Sequence, residues 1–212
     1  MEMHGNPGVS IISSFGMHPQ LPLVENAAFM EDLLRSKRIQ AVGEAGFDMY
    51  SKEFKATIMQ QEEAWSISVE LSDRYRVPLV IHCRKALDRM FRDYKKLSRV
   101  SAVIFHSFQG SPDDARSLLR HGVNGFFSFG KPLIAGDKSA AACVGELDFD
   151  RLLMETDAPY QTLKGEKETQ PGEIVRVYEA AYAIFIEKNR KVSLESFSEA
   201  ITGNFKTAYG IL

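Results

Sequence analysis

The sequence has few cysteines and almost no net charge, and both features limit the classes of protein to which the chain can belong. Only Cys83 and Cys143 occur among the 212 residues. A disulfide-stapled scaffold is therefore disfavoured, and two reduced thiols in a cytoplasmic protein are expected. The 26 Lys and Arg residues nearly balance the 28 Asp and Glu residues, which leaves a formal charge of −2. This balance argues against a wholesale electrostatic grip on nucleic acid, although it permits a local basic patch.

Long apolar runs and targeting features are also lacking. No run approaches the ~20 apolar residues that a membrane-spanning helix needs. The N-terminal MEMHGNPG has neither the basic start nor the apolar stretch of a signal peptide. With 44% hydrophobic and 25% charged residues, the composition is that of an ordinary globular protein. Neither a low-complexity segment nor a linker interrupts the chain, so residues 1–212 are predicted to form one domain.

Six short apolar runs alternate with longer amphipathic stretches. This alternation predicts parallel βαβ units, which build either a doubly wound open sheet or a (β/α) barrel. The chain has no G-x-G-x-x-G after the first run and no G-x-x-x-x-G-K-[ST], which disfavours the nucleotide-binding open sheets. The predicted strands are Val9–Phe15, Gln40–Gly43, Pro78–His82, Ala102–His106, Gly125–Phe129 and Leu152–Thr156.

The stretches between the runs are predicted to be helices. The helix after the fourth run begins with Ser111 as N-cap and Pro112 at the first helical position, and it stops at Gly122. His121 ends this helix, where a cation suits the dipole, and is expected to be structural. The predicted helices are Glu25–Ser36, Lys52–Tyr75, Arg84–Leu97, Ser111–His121, Pro171–Lys188 and Leu194–Ile201.

Residues of the types that bind metal ions stand at the ends of four runs. In a barrel of parallel strands these ends face one mouth, so the side chains are expected to cluster. Neutral imidazole and carboxylate are good ligands for Zn²⁺, Mn²⁺ and similar ions, and carboxylates suit Mg²⁺. Ions held there lower the pKa of bound water and neutralise charge on a phosphate. The four residues are Glu44, His82, His106 and Asp157.

Each of these residues also has a structural interpretation when taken alone. A single histidine at a strand end is usually a hydrogen-bonded structural residue. Glu44 alone could form a salt bridge, and Asp157 alone could be an N-cap. Four ligand-type residues at four strand ends are harder to explain by capping and packing. Cys83 is expected to point away from the preceding His82 and to be a buried thiol.

Several blocks of the sequence resemble the TatD family of metal-dependent hydrolases, the TatD-type deoxyribonucleases. The blocks agree with the family in order and spacing over residues 9–212, and together they are a specific signal. They are GMHP (Gly16–Pro19), AVGEAGFD (Ala41–Asp48), PLVIHCRKA (Pro78–Ala86), VIFHSFQGS (Val103–Ser111), LLMETDAPY (Leu152–Tyr160) and GNFKTAYG (Gly203–Gly210).

The resemblance implies a TIM-type (β/α) barrel with a metal centre at its mouth. Such an enzyme cleaves phosphodiester bonds, typically in DNA, through metal-activated water. By the family pattern, Glu44 bridges two ions, His82 and His106 complete one of them, and Asp157 serves the other and acts on the water proton. The ion is expected to be Zn, Mg or Mn.

Three further residues are candidates to contact substrate phosphate near the mouth: His18, Arg84 and Lys131. For Arg84 the alternative is a salt bridge that supports a ligand. For Lys131 the alternative is solvation at the surface.

The sequence departs from the family at its start. Family members carry an Asp-x-His-x-His strand and a further βα unit before the GMHP block, which here begins at position 16. The first two βα units, about 50 residues at the usual unit length, are therefore expected to be absent. The barrel would then be incomplete, with one metal site intact and the second lacking its histidines. Its open edges are expected to be covered by the N-terminal residues, paired with another copy or distorted, and pairing in a homodimer is favoured.

Two other functions stay open. A barrel without the His-x-His pair could bind a metal or a ligand and have impaired or lost catalysis. The same barrel and metal arrangement also serves the hydrolysis of ester or amide bonds.

Overall fold

Each of the six predicted runs contains a strand, and the strands pair in sequence order into one parallel sheet. The structure is a computed structural model that describes residues 11–188 and 191–211, so the first two residues of the run Val9–Phe15 lie outside the described residues. The second strand continues through Asp48, well past its predicted end at Gly43. The strands are β1 Ser14–Phe15, β2 Ala41–Asp48, β3 Leu79–Arg84, β4 Val103–His106, β5 Gly125–Phe129 and β6 Leu152–Met154.

The helices differ from the prediction at four places. The predicted helix Lys52–Tyr75 is two helices, and so is Arg84–Leu97, which also starts later because Arg84 still belongs to β3. A helix capped by Asp137 was missed, and the last helix is longer than predicted. Within the described residues, no helix is long and apolar enough to cross a membrane. The helices are α1 Ala27–Arg35, α2 Lys52–Ala56, α3 Ile58–Tyr75, α4 Leu87–Arg92, α5 Tyr94–Leu97, α6 Pro112–Arg120, α7 Lys138–Glu146, α8 Ile174–Glu187 and α9 Leu194–Tyr209, with 3₁₀ turns at Val24–Asn26, Phe149–Arg151 and Pro171–Glu173.

The break between α2 and α3 is explained by the buried side chain of Gln61. Its Nε2 donates to the Phe54 carbonyl oxygen at 2.6 Å, and its Oε1 accepts from the Asp48 backbone N–H at 3.0 Å. In a continuous helix, that carbonyl would accept from the backbone of Ile58 instead. The Gln61 amide therefore ties the end of β2 to the turn between α2 and α3.

Side chains alternate between the two faces of the sheet, and each face is covered. One face packs against the helices in the main apolar core, which includes Ile81, Phe105 and Phe127. The opposite face and the last helix, α9, form a second buried cluster, which consists of Ala102, Ile104, Phe126, Leu153 and Ala208. We call this opposite side the inner face, and it leads into the mouth at the carboxyl ends of the strands.

The sheet is open at both edges within residues 11–188 and 191–211, because β1 pairs only with β2 and β6 only with β5. Large apolar side chains are exposed around β1. Ile11 precedes the strand, Leu21 and Leu23 follow it, and the Phe29 ring lies against the Phe15 ring at 5.4 Å.

Candidate metal centre

His82 and His106 leave neighbouring strands side by side. They are register partners at the ends of β3 and β4, and their ring centroids are 6.4 Å apart. Because side chains alternate along a strand, both histidines lie on the inner face with Ile104. Cys83 lies on the other face, as predicted, and packs against the main core, although it is only partly buried, and both cysteines are free thiols.

The carboxylate of Glu44 lies among three imidazole rings. Its Oε2 is 3.5 Å from His18 Nε2, 3.4 Å from His82 Nδ1 and 3.7 Å from His106 Nε2. Asp157, just after β6, brings its Oδ1 within 3.6 Å of His106 Nε2. The structure thus brings the four strand-end residues together at one mouth.

The spacing of these atoms suits a divalent ion. Ligands at about 2.1 Å from a tetrahedral ion lie about 3.4 Å apart. Within the described residues, the ligand atoms of His18, Glu44 and His82 all lie within 4.8 Å of one another, and so do those of Glu44, His106 and Asp157. Glu44 belongs to both groups, whereas the two strand-end histidines fall in different groups rather than in the single group expected. Imidazole nitrogens and carboxylate oxygens are donors that Zn²⁺ and Mn²⁺ accept, so the residues fit such an ion.

A buried carboxylate orients His82. The fully buried Asp48 places Oδ2 3.2 Å from His82 Nε2, and it also accepts from Gln20 Nε2 at 2.8 Å and from the Tyr50 backbone N–H at 2.9 Å. With Nε2–H donated to Asp48, the Nδ1 lone pair of His82 faces Glu44. Burial opposes the charge, but these hydrogen bonds hold the pKa of the Asp48 carboxyl below its ordinary value.

Glu155 orients His106 in the same way. Its Oε2 accepts from His106 Nδ1 at 3.0 Å, and its Oε1 accepts from the Ser107 backbone N–H at 3.1 Å and from Ser107 Oγ at 2.6 Å. The Nε2 atom of His106 is left facing Glu44 and Asp157. Burial favours the neutral imidazole, but the hydrogen bond and charge of Glu155 raise the pKa of His106 to about 9.

The two carboxylates that face the mouth have opposite electrostatic environments. Burial opposes the charge on Glu44, yet the surrounding histidines hold the pKa of its carboxyl far below the ordinary value. Burial and the neighbouring acids raise the pKa of Asp157, although Gln161 Nε2 donates to Asp157 Oδ2 at 3.1 Å. Glu44 is therefore the permanent anion, and Asp157 is the carboxylate better suited to accept a proton.

His18 meets Glu44 as a hydrogen-bond donor. The backbone N–H of Gln20 donates to His18 Nδ1 at 3.2 Å. A backbone N–H can only donate, so Nδ1 keeps its lone pair and the proton of the neutral ring is on Nε2. That nitrogen is the one that faces Glu44. In this geometry His18 presents a donor, which suits an anion such as a phosphate oxygen better than a metal ion.

The mouth opens into a cavity of about 890 Å³. The cavity is lined by all four strand-end residues and by His18, Arg84 and Tyr160. Two of the three residues predicted to contact phosphate therefore reach the mouth, and Tyr160 adds an aromatic ring that is 70% exposed.

Lys131 is not brought to the mouth. Its side chain is 1% exposed, and its Nζ lies 2.5 Å from Glu166 Oε2, 2.8 Å from Glu173 Oε2 and 2.9 Å from Thr169 Oγ1. The predicted phosphate contact does not fit this burial, and neither does the alternative of surface solvation. Two carboxylates already neutralise the ammonium, which fixes the loop after Asp157 to the turn before α8.

Sequence reasoning missed Asp48, Glu155 and Gln161 as site residues. Asp48 and Glu155 lie in the quoted blocks GEAGFD and ETDAPY, but a carboxylate that orients a ligand has no residue type of its own. The alternation of side chains along a strand could have identified Glu155. It follows Leu153 at the spacing that returns a side chain to the inner face.

The sequence profile described as TatD related DNase matches residues 1–210. The uncharacterized metal-dependent hydrolase YabD of Bacillus subtilis is 28% identical over 210 residues, which are 95% of this chain and 78% of that protein. The 3′-5′ ssDNA/RNA exonuclease TatD of Edwardsiella piscicida is 34% identical over 143 residues, which are 64% of this chain and 52% of the exonuclease.

Two solved structures share the fold. The TatD homologue YjjV from Escherichia coli superposes with a TM-score of 0.79 at 22% identity, over 95% of this chain and 77% of that one. A TatD family hydrolase from Entamoeba histolytica superposes with a TM-score of 0.74 at 18% identity, over 96% of this chain and 76% of that one.

Proposed function

The chain belongs to the TatD family of DNases, and from this premise we propose that it hydrolyses phosphodiester bonds of single-stranded nucleic acid from the 3′ end with a divalent ion. The observation that carries the proposal is the Glu44 carboxylate, whose Oε2 lies 3.4 Å from His82 Nδ1 and 3.7 Å from His106 Nε2. Relatives named 3′-5′ ssDNA/RNA exonucleases support the substrate and the direction.

The proposed ligands are Glu44, His82, His106 and Asp157. A divalent ion bound there supplies a Lewis acid that lowers the pKa of water and neutralises phosphate charge. Asp157, whose pKa is raised, accepts the proton of the attacking water. His18 donates its Nε2–H to a phosphate oxygen and steadies the charge that builds there.

A substrate panel on one metal-loaded preparation tests the proposal. The protein is stripped with EDTA, reloaded with Zn²⁺, Mn²⁺ or Mg²⁺, and its metal content is measured by mass spectrometry. A 5′-labelled single strand should then shorten from its 3′ end in single-nucleotide steps, and EDTA should stop the reaction. Duplex DNA, single-stranded RNA, a carboxylic ester and an amide complete the panel.

Each outcome of the panel has a meaning. Bound metal without cleavage of any substrate would support the binding barrel instead of the enzyme. Cleavage of the ester or the amide alone would move the activity to another bond. Internal cuts in the labelled strand would contradict the exonuclease direction.

We also propose that the open edge at β1 packs against a second copy of the chain. The exposed apolar side chains around that strand, including Phe29 at 51% exposure, support this contact. Light scattering at micromolar concentration should give twice the chain mass of 23.8 kDa. Phe29→Asp should shift the protein to the monomer, since it places a charge in the contact. A monodisperse wild-type monomer would overturn the proposal.

A further inference from the structure

Two cations sit on one exposed aromatic ring beside the mouth. Arg84 Cζ lies 3.6 Å from the centroid of the Tyr50 ring, and Lys85 Nζ lies 4.8 Å from it. The Tyr50 side chain is 52% exposed. Arg84 lines the main cavity, and Lys85 lines a neighbouring cavity of about 260 Å³. We call Tyr50, Arg84 and Lys85 the cation arm.

The positive charge of the arm is not neutralised by the protein. Among residues 11–188 and 191–211, no carboxylate lies within 4.0 Å of either cation. Arg92, on the helix that follows, bonds both oxygens of Glu62 instead. A guanidinium stacked on a ring uses its flat face, so the N–H edge of Arg84 remains free to bind an anion.

The position of the arm follows from the strand. Arg84 comes two residues after His82 on β3, so it lies on the same face and about 7 Å further toward solvent. A phosphate bound beside His82 would therefore have Arg84 on its solvent side.

We propose that the cation arm binds the phosphate next to the cleaved one in a single-stranded nucleic acid, an inference that rests on the proposed function. Arg84 and Lys85 contact the backbone phosphate. Tyr50 is a positioning residue, because it holds the guanidinium of Arg84 in place. The arm thereby recognises a polymer rather than an isolated phosphate ester.

Binding of a fluorescein-labelled single strand, measured by anisotropy in EDTA, tests the arm without cleavage. The titration is repeated between about 50 and 200 mM salt. Lys85→Met should weaken binding several-fold and reduce the slope of log affinity against log salt by about 0.7, the value for one phosphate contact on a single strand. Tyr50→Ala should weaken binding, whereas Tyr50→Phe should retain it because the ring face remains.

Arg120→Met is the matched control for the loss of one charge. Arg120 is exposed at the end of α6, and this helix returns the chain to the opposite end of the sheet from the mouth. This variant should bind like the wild type at every salt concentration. A strand with neutral methylphosphonate in place of the neighbouring phosphate supplies the second control, because on it Lys85→Met should lose its effect.

Two results would overturn the proposed phosphate contact of the cation arm without overturning the proposed function. If the wild type trims single strands but Lys85→Met and Arg120→Met have equal salt slopes, the arm is overturned and the enzyme stands. If Lys85→Met weakens the normal and the neutralised strand equally, the contact is not with that phosphate and the arm is also overturned. A wild type that neither binds nor cleaves any strand would overturn both.

Discussion

Glu44→Gln and His106→Ala are each expected to lower kcat/KM for a single-stranded substrate on the order of 1,000-fold or more. Glu44→Gln removes the negative charge of the carboxylate, and His106→Ala removes the Nε2 atom that lies 3.7 Å from Glu44 Oε2 at the mouth. Loss of a Lewis acid that supplies several kcal/mol of transition-state stabilisation is a loss of this size. The test is to measure kcat/KM in steady-state kinetics with saturating Mn²⁺, together with the metal content of each variant.

His121→Ala is the control for this pair. His121 caps α6 far from the mouth, where its Nδ1 lies 2.7 Å from the Ser117 carbonyl oxygen. Activity should change less than twofold, because no ligand and no cavity residue is touched. Equal losses from all three substitutions would show that the assay reports folding, and would remove the support for the metal centre.

The fold and the ligand types could be predicted from the sequence because both rest on local patterns. Buried parallel strands are continuous apolar runs, and ligand-type residues at their ends stand out against those runs. The helix Pro112–Arg120 could be placed because its N-cap Ser111 and its first-turn proline are adjacent in the sequence and Gly122 follows its end. His82 and His106 could be paired because neighbouring strands of a parallel sheet share one mouth.

The parts that failed depend on contacts between distant segments. Lys131 was predicted at the mouth, but Glu166 and Glu173 lie 35 and 42 residues further along the chain and draw its ammonium inside. The split before α3 depends on Gln61 reaching back to β2. The residues around these positions do not indicate the contacts, because a polar residue has the same identity in the sequence whether it is buried or exposed. Glu155 is the exception, because the alternation of side chains along a strand could have assigned it to the inner face.

The pH dependence of metal affinity is expected to follow His106. In the metal-free protein, Glu155 raises the pKa of His106 to about 9, so the imidazole is protonated at neutral pH. A metal ion needs the Nε2 lone pair, so binding must release that proton. Well below pH 9 the apparent association constant should therefore fall about tenfold for each pH unit, and it should be about 50-fold weaker at pH 7 than at pH 9, where half of the imidazole is already neutral.

Calorimetric titration with Mn²⁺ tests this dependence. Repeated at pH 7 in buffers with different enthalpies of ionisation, it should show about one proton released for each ion bound to His106. Glu155→Gln removes the charge that raises the pKa, so this variant should release fewer protons and keep its affinity at lower pH. His121→Ala should match the wild type in both respects.

Affinity that does not change between pH 7 and 9, or equal proton release from the wild type and Glu155→Gln, would contradict the role given to the pair of Glu155 and His106. The hydrogen bond between His106 and Glu155 points Nε2 of His106 toward Glu44 and also raises the pKa of the ring. A metal ion must therefore compete with a proton for the Nε2 lone pair.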